Sequence, residues 1–450
     1  MNIALIILAA GKGTRMQSEL PKVLHNVASA PMLVHAMRAG RALEPKRTII
    51  VAGHGFEAVS AVALAEDPEV EIVRQEAQLG TGHAVDQARA ALDDFDGTVI
   101  VLYGDCPLIQ PRTLEELSAT LSTAAVSVLG FEAKNPARYG RLITDGDRLK
   151  RIVEFKDANP AERAVRLCNS GVMAASAELL FDLLSEIDAN NASGELYLTD
   201  VIGKAVGRGL PCTAVRCAER ETLGVNSRVE LMQAEKEFQT LRRAEALEDG
   251  ISMPAPETVH FSYDTVIGRD AIIEQNVVFG PGVTVESGAQ IRAFSHLEGA
   301  HVSRGCIVGP YARLRPGAEL AEDVKIGNFV EIKASELEEG AKVNHLSYIG
   351  DARIGARANI GAGTITCNYD GGFKHQTIIG KRAFIGSNTA LVAPVRVGND
   401  AMTGSGSVIT EDVPEEGLAI ARARQANKPG LALRFLNRLK ATEKLNLKDN

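Results

Sequence analysis

Residues 265–300 read TVIGRD-AIIEQN-VVFGPG-VTVESG-AQIRAF-SHLEGA, a run of hexapeptides in one register. The third position is always large and apolar: Ile267, Ile273, Phe279, Val285, Ile291 and Leu297. The first is small or β-branched: Thr265, Ala271, Val277, Val283, Ala289 and Ser295. After a short step the large row resumes at Val302, Val308, Leu314, Leu320, Ile326 and Ile332. It passes through Leu337, Val343, Ile349, Ile354 and Ile360, then closes with Ile379, Ile385, Leu391, Val397, Thr403 and Ile409. A six-residue period fits neither a helix nor a plain strand over such a length. It predicts a solenoid of parallel coils, with three hexapeptides to each triangular turn and both rows pointing into one narrow core. The run yields roughly eight coils, about 38 Å tall at the ~4.8 Å spacing of paired strands.

Working outward, the features this scaffold does not need stand out. The large row lapses between Ile360 and Ile379, where Gly372 falls at an expected aliphatic position. The interval holds Thr364-Ile365-Thr366-Cys367-Asn368-Tyr369-Asp370-Gly371-Gly372-Phe373-Lys374, and a loop leaving the coil is predicted there. His345 stands two places after Val343, outside both inward rows. Arg315, Lys333 and Lys374 add cations with no structural use. Thr403 replaces an aliphatic in the large row.

Toward the N-terminus, residues 226–249 are rich in helix formers, with Val229, Met232, Phe238 and Leu241 near one face and Gly250 as the stop. A linking helix that shields the first coil is predicted, because solenoid ends need capping. Residues 1–225 alternate apolar runs (3–8, 48–52, 70–73, 98–103, 125–130 and 151–155) with helical stretches (31–43, 82–92 and 112–121). This predicts a doubly wound, mostly parallel α/β domain, with ligands beyond the carboxyl ends of its strands. The expected division is 1–225, a linking helix over 226–250, and 251–450. The tail over 428–450 carries Leu431, Leu433, Phe435, Leu436 and Leu439 and has room for a short helix.

At the end of the first apolar run the chain reads Leu8-Ala9-Ala10-Gly11-Lys12-Gly13-Thr14-Arg15-Met16, followed by Leu20-Pro21-Lys22. A dinucleotide fingerprint would need a third glycine at Met16. The ingredients instead suit a triphosphate: glycines admit backbone N–H groups to phosphate oxygens, and Arg15 and Lys22 supply cations. The run 98–103 ends in Gly104-Asp105-Cys106-Pro107, which places the Asp105 carboxylate where Mg²⁺ could be held with phosphate oxygens. Gln75 and Gln78-Leu79-Gly80-Thr81-Gly82-His83 suit either a base-binding loop or a plain helix start.

The net charge of −8 and pI near 5.7 argue against a nucleic-acid or membrane-surface binder. Six cysteines without a CxxC read as reduced thiols of a cytoplasmic protein. The apolar start over 3–10 is too short to span a bilayer and shows no targeting signal.

LAAGKGTRM with LPK, QLGTGHA, YGDCPL, YGRL, VEFKD and CNSG resembles the sugar-phosphate nucleotidyltransferases. With the hexapeptide region attached, nearly the whole chain resembles the bacterial bifunctional N-acetylglucosamine-1-phosphate uridylyltransferase/glucosamine-1-phosphate acetyltransferase family. The resemblance implies a Rossmann-like nucleotidyltransferase domain and a left-handed parallel β-helix, assembled as a homotrimer with active sites between neighbouring helices. It implies that acetyl-CoA and glucosamine 1-phosphate give N-acetylglucosamine 1-phosphate, which UTP converts to UDP-N-acetylglucosamine for peptidoglycan and lipopolysaccharide synthesis.

By the same resemblance, Leu8, Ala9, Ala10, Gly11, Lys12, Gly13, Gln75, Gly80, Thr81, Tyr103 and Gly104 hold UTP. Arg15 and Lys22 stabilise its phosphates, and Asp105 and Asn226 bind Mg²⁺. Gly140, Glu154, Asn169, Tyr197, Thr199 and Asn226 line the acetamido-sugar pocket. His345 is the general base. Arg315, Lys333, Tyr348, Asn359 and Lys374 hold glucosamine 1-phosphate, while Ala362, Asn368, Tyr369, Ser387, Ser405 and Arg422 contact acetyl-CoA. The competing reading, a monofunctional nucleotidyltransferase whose β-helix serves only assembly or regulation, has no use for His345, Lys374 or the broken coil.

Overall fold

A computed structural model describes residues 2–446, in two compact units. Among the described residues, one comprises 2–249, Pro256–Thr265 and Phe279–Pro281; the other comprises Gly250–Ala255, Val266–Val278 and 282–446.

In the first unit, β1 (Ile3–Ala9), β2 (Arg47–Ala52), β3 (Glu71–Arg74) and β4 (Thr98–Tyr103) pair in parallel. With β5 (Val126–Glu132), β6 (Arg141–Asp145), β7 (Arg148–Val153), β8 (Leu167–Ser176) and β9 (Cys212–Cys217) they form a nine-stranded sheet, in the order β3-β2-β1-β4-β8-β5-β9-β7-β6. β1 is buried throughout because helices cover both faces of the sheet. Ala4, Ile6 and Leu8 enter one cluster with Val85 and Leu180, whereas Ile3, Leu5 and Ile7 enter another with Leu33 and Leu117. Each such Ile or Leu contributes about 1.5–3 kcal/mol by leaving water.

The sheet is less parallel than the apolar pattern predicts. β8 runs antiparallel to both β4 and β5, and β6 with β7 forms an antiparallel hairpin. β8 escapes notice in the sequence because Asn169-Ser170-Gly171 interrupts it, and a bulge shifts its register between Asn169 and Met173. The expected strand at 151–155 is the end of β7, displaced by a few residues. The expected helix at 82–92 is a short helix, Thr81–Asp86, followed by a separate 3₁₀ turn at Ala90–Leu92.

The predicted long helix spans Arg228–Glu248, but only part of the expected face is covered: Phe238 packs against the cluster of Met16, Val27, Met32 and Ala234, and Leu241 is half-buried. Val229 and Met232 are 69% and 60% exposed, and the buried residues are Ala234, Gln239 and Ala246. Gln239 is buried because its side-chain amide behaves like a strand partner. Its Nε2 donates to the Phe261 carbonyl at 2.7 Å, and its Oε1 accepts from the Phe261 N–H at 2.8 Å. No hydrophobic-periodicity argument detects an amide that substitutes for backbone.

In the second unit the hexapeptides wind a left-handed parallel β-helix. One face stacks Ile273, Ile291, Val308, Ile326, Val343, Ile360 and Ile385 through successive parallel pairings. The other two faces merge where Glu331–Leu337 and Tyr348–Ile354 run unbroken around a corner. Leu337 pairs with Ile354, but Ile354 pairs with Ile379, so the coil between them carries an insertion. The insertion begins later than the row lapse suggests. Thr364 and Thr366 are fully buried, and Ile365–Cys367 still pairs with Ala390–Val392. Only 368–376 leaves the coil.

Thr366 and Thr403 fill aliphatic positions for the same reason. The Oγ1 of Thr366 accepts from the Gly350 N–H at 2.8 Å, and that of Thr403 from the Gly386 N–H at 3.0 Å. Thr403→Val keeps the shape and orphans the Gly386 N–H. The expected cost is about 1–3 kcal/mol, read as a lower urea midpoint for β-helix unfolding at unchanged slope. An unchanged midpoint would show that the bond carries no net stability.

The tail forms a helix over Leu431–Asn446, with Leu431, Leu433, Phe435, Leu436 and Leu439 exposed; residues 447–450 of the expected tail lie outside the described residues. Among the described residues no helix is long and apolar enough to cross a membrane.

Candidate active sites

The first site opens at the carboxyl ends of β1 and β4, around a cavity of about 310 Å³. Leu8, Gly11, Lys22, Gln75, Tyr103 and Asp105 are among its lining residues. The loop after β1 passes through Gly13, which has a left-handed φ of 58°, into a single 3₁₀ turn, Thr14–Met16. Lys12 and Arg15 are exposed, and among the described residues no carboxylate pairs with either. The facing loop is bound to the first: Gln78 Nε2 donates to the Ala10 carbonyl at 2.7 Å. Gln78 is an organising residue that the sequence motif contains but does not single out.

Gln75 is buried, with its Nε2 directed inward, 3.2 Å from the Gly80 carbonyl and 3.0 Å from His83 Nδ1. Gly80 has a φ of 115°, and a Cβ there would lie 2.5 Å from the Leu196 carbonyl oxygen, so no other residue fits without moving backbone. Thr81 Oγ1 accepts from the Leu198 N–H at 3.0 Å.

Lys22, Asp105 and Asn226 converge. The Lys22 ammonium forms a short ion pair with Asp105 Oδ2 and donates to Asn226 Oδ1 at 2.9 Å. Local structure brings Asn226 here from far along the chain. The Val225 N–H donates to the Asp105 carbonyl at 3.0 Å. Ser227 caps the long helix, and Glu230 reaches back to accept from the Asn226 N–H at 2.7 Å. Two side-chain oxygens thus already face one positive group, a donor set that fits a hard divalent cation.

Deeper in, Asn169 Oδ1 accepts from the Gly171 N–H at 3.1 Å, and the Asn169 N–H donates to the Gly140 carbonyl at 2.9 Å. Glu154 lies beside Gly140 and accepts from Thr199 Oγ1 at 3.3 Å. Burial raises the Glu154 pKa above the usual carboxylate range, a shift the Thr199 hydroxyl opposes. Burial likewise raises Tyr103, and the Asp105 carboxylate adds to it. Tyr197 is half-buried on the same stretch as Thr199.

The second site lies on the β-helix, beside the insertion. His345 ends the strand Lys342–His345 and is exposed. Tyr348, Lys333, Asp351 and Asn368 form one network. Asp351 Oδ2 receives Lys333 Nζ at 3.3 Å and a short bond from Asn368 Nδ2, and Asn368 Nδ2 lies 3.4 Å from the Tyr348 hydroxyl. Lys374 reaches from the insertion to the Lys333 ammonium, and contact with that second cation lowers the Lys374 pKa; the charge of Arg315 acts in the same direction. Arg315 is itself held by Glu331 Oε1 at 2.8 Å. Arg315 and Lys333 each have a carboxylate partner, and three cations gathered at one place still suit a phosphate. The insertion is rigidified by Asp370, which accepts from the N–H groups of Gly372 and Phe373 and pairs with His375 at 2.6 Å.

A column of residues continues from His345 along the coils. Gly363 N–H donates to the His345 carbonyl, Asn388 N–H to Ala362, and Gly406 N–H to Ser387. Arg422 Cδ lies 3.8 Å from where a Cβ on Gly406 would be. Ala362, Ser387, Ser405 and Arg422 therefore follow one edge, the last three exposed. Tyr369 is exposed on the insertion, and Asn359 sits in the same strand stack as His345, on the next coil, between Lys342 and Phe384.

These features define a nucleotidyltransferase unit and a hexapeptide-repeat β-helix on one chain. Residues 5–170 match the MobA-like NTP transferase domain, and residues 376–411 match the hexapeptide repeat of succinyl-transferase. The "Bifunctional protein GlmU" of Jannaschia sp. (strain CCS1) is 59% identical over 447 residues, covering 99% of this chain and 98% of that protein. The protein of the same name from Ruegeria pomeroyi is 64% identical over 441 residues, covering 98% of each. The chain belongs to the GlmU family.

Proposed function

We propose that this chain makes UDP-N-acetylglucosamine in two steps, one at each site. It is a bifunctional transferase, a uridylyltransferase and a glucosamine-1-phosphate acetyltransferase. The observation that most supports a working second site is the cation cluster of Arg315, Lys333 and Lys374 beside an outward histidine, which a pure scaffold would have no reason to keep.

In acetyl transfer, the cations and Tyr348 hold glucosamine 1-phosphate by its phosphate, with Asn359 completing the sugar site. His345 accepts a proton from the sugar amine as the nitrogen attacks the thioester carbonyl. The new C–N bond forms, the C–S bond breaks, and the departing thiolate takes up the proton that His345 accepted, so coenzyme A leaves as its thiol. Neutral imidazole suits this work near pH 7. Asn368, Tyr369 and the edge through Ala362, Ser387, Ser405 and Arg422 offer acetyl-CoA an extended track.

In uridylyl transfer, Gly140, Glu154, Asn169, Tyr197 and Thr199 hold the acetamido sugar. Its phosphate oxygen attacks the α-phosphorus of UTP, the bond to the β-phosphate bridging oxygen breaks, and pyrophosphate leaves. The nucleophile is already anionic, so alignment and charge neutralisation by Lys12, Arg15 and Lys22 carry the step. The family requires a divalent metal, which we assign as Mg²⁺ held by Asp105 and Asn226; when bound it neutralises phosphate charge. Lys22 then exchanges its carboxylate partner for phosphate oxygens.

A homotrimer accords with the hexapeptide repeat and with the exposed apolar residues Phe384, Met402, Val408 and Leu418 on the coils. A cytoplasmic location accords with six unpaired cysteines. The direct test is to incubate the pure protein with glucosamine 1-phosphate, acetyl-CoA, UTP and Mg²⁺. Free thiol, pyrophosphate and UDP-N-acetylglucosamine should all appear; pyrophosphate formation only from added N-acetylglucosamine 1-phosphate, with no thiol release, would favour the monofunctional reading.

A further inference from the structure

We infer that Asn328 is a positioning residue for the acetyl-transfer base, holding His345 in the tautomer whose free lone pair lies on Nε2. The inference rests on the reading of His345 as that base. Asn328 occupies the neighbouring coil directly in register with His345. Its Oδ1 lies 2.9 Å from His345 Nδ1. An amide oxygen only accepts, so Nδ1 must carry the hydrogen, and Nε2 is left to accept a proton from the substrate.

The backbone makes this pairing durable. Asn328 and His345 are each followed by a residue in the left-handed region, Phe329 at φ 57° and Leu346 at φ 50°, so the two coils turn the same corner in step. The Leu346 N–H donates to the Asn328 carbonyl at 3.1 Å, which ties the two corners together. Gly327 permits the close approach: a Cβ there would lie 1.9 Å from the Asn344 carbonyl oxygen. On the other side, the His345 carbonyl accepts from Ser347 Oγ at 2.8 Å and from the Gly363 N–H at 3.2 Å. The Phe294, Tyr311 and Phe329 rings stack along the same corner, with centroids 4.8 and 5.3 Å apart. The main chain of both residues is fixed, and among the described residues the imidazole hydrogen-bonds to Asn328 alone. A base whose second nitrogen is held by a hydrogen-bond acceptor is the general device for fixing an imidazole tautomer.

The test compares Asn328→Leu, Asn328→Asp, His345→Ala and the double variant Asn328→Leu/His345→Ala in the full-length protein, with the urea midpoint of the β-helix unit as the control for folding, because uridylyl transfer reports only on the other unit. Asn328→Leu is expected to lower kcat for acetyl transfer about 10–100-fold while KM for glucosamine 1-phosphate and acetyl-CoA stays near wild type. Asn328→Asp, which keeps an acceptor at the same place, should retain most of the rate. In the His345→Ala background, Asn328→Leu should cost nothing further, because its effect passes through the imidazole. If Asn328→Leu keeps wild-type kcat, or lowers kcat by the same factor in the wild-type background and on the residual activity of His345→Ala, the positioning role is wrong. If His345→Ala itself retains acetyl transfer, the reading of His345 as the base fails instead.

Discussion

His345→Ala is expected to lower acetyl transfer by about 10²–10⁴-fold and to leave uridylyl transfer at the wild-type rate. The size follows from the work assigned to the imidazole. An attacking amine must lose its proton, and among the described residues beside the insertion the other candidates are engaged: Arg315 is held by Glu331, Asp351 by Lys333 and Asn368, and the second imidazole, His375, is paired with Asp370 at 2.6 Å. The separation follows from the fold. His345 belongs to the β-helix unit, whereas Lys22, Asp105 and Asn226 belong to the unit built on the nine-stranded sheet. Stability should hardly change, because the His345 side chain is exposed. Separate assays of thiol release and pyrophosphate release decide the matter. Equal loss of both activities in a folded protein would contradict two independent sites.

The second large effect is expected from Asp105→Asn. The substitution keeps the size of the side chain and removes its charge, so the cavity beside Tyr103 is preserved. With the carboxylate gone, a divalent cation would face two neutral amide oxygens, a poor set for a hard ion. UDP-N-acetylglucosamine formation should fall at least ~100-fold, and the Mg²⁺ needed for half-maximal velocity should rise. Acetyl transfer should be untouched. Because Lys22 also loses its ion-pair partner, the rate alone is ambiguous and the metal titration is the decisive readout. An unchanged Mg²⁺ dependence would transfer the carboxylate's role from the metal to Lys22.

How much of this was legible in the sequence differs by level. The β-helix was, because its inward rows repeat with so short a period that one register explains most of the large residues between Ile267 and Ile409. The lapse near Gly372 located the insertion, but its start was misplaced: Thr366 looks like a broken repeat and is a filled one, since its hydroxyl satisfies the Gly350 N–H. In the first unit the apolar runs located β1, β2 and β4, which are buried on both faces. They missed β8, whose middle is given over to Asn169 and Gly171.

The site residues show the same division. Lys22 and Asp105 sit in short motifs, and the structure brings them together with Asn226, which lies far along the chain and arrives through the Val225–Asp105 backbone bond. Asn328 and Gln78 carry no signal that spacing could expose. Their roles depend on which atom faces them across a coil or a loop, and a hexapeptide period specifies only which residues face inward. The partly misassigned face of the Arg228–Glu248 helix has the same origin, a polar side chain buried by its bonds to backbone.

The most direct measurement of the central claim, two chemistries on two separate units, is complementation between purified variants. Asp105→Asn alone and His345→Ala alone are each incubated with glucosamine 1-phosphate, acetyl-CoA, UTP and Mg²⁺, and the two are then mixed. Either alone should form UDP-N-acetylglucosamine at no more than about a hundredth of the wild-type rate, and the mixture should form it far faster, because N-acetylglucosamine 1-phosphate made by the first diffuses to the second. Product from either variant alone at close to the wild-type rate, or no gain on mixing when each retains its own half-reaction, would contradict the account.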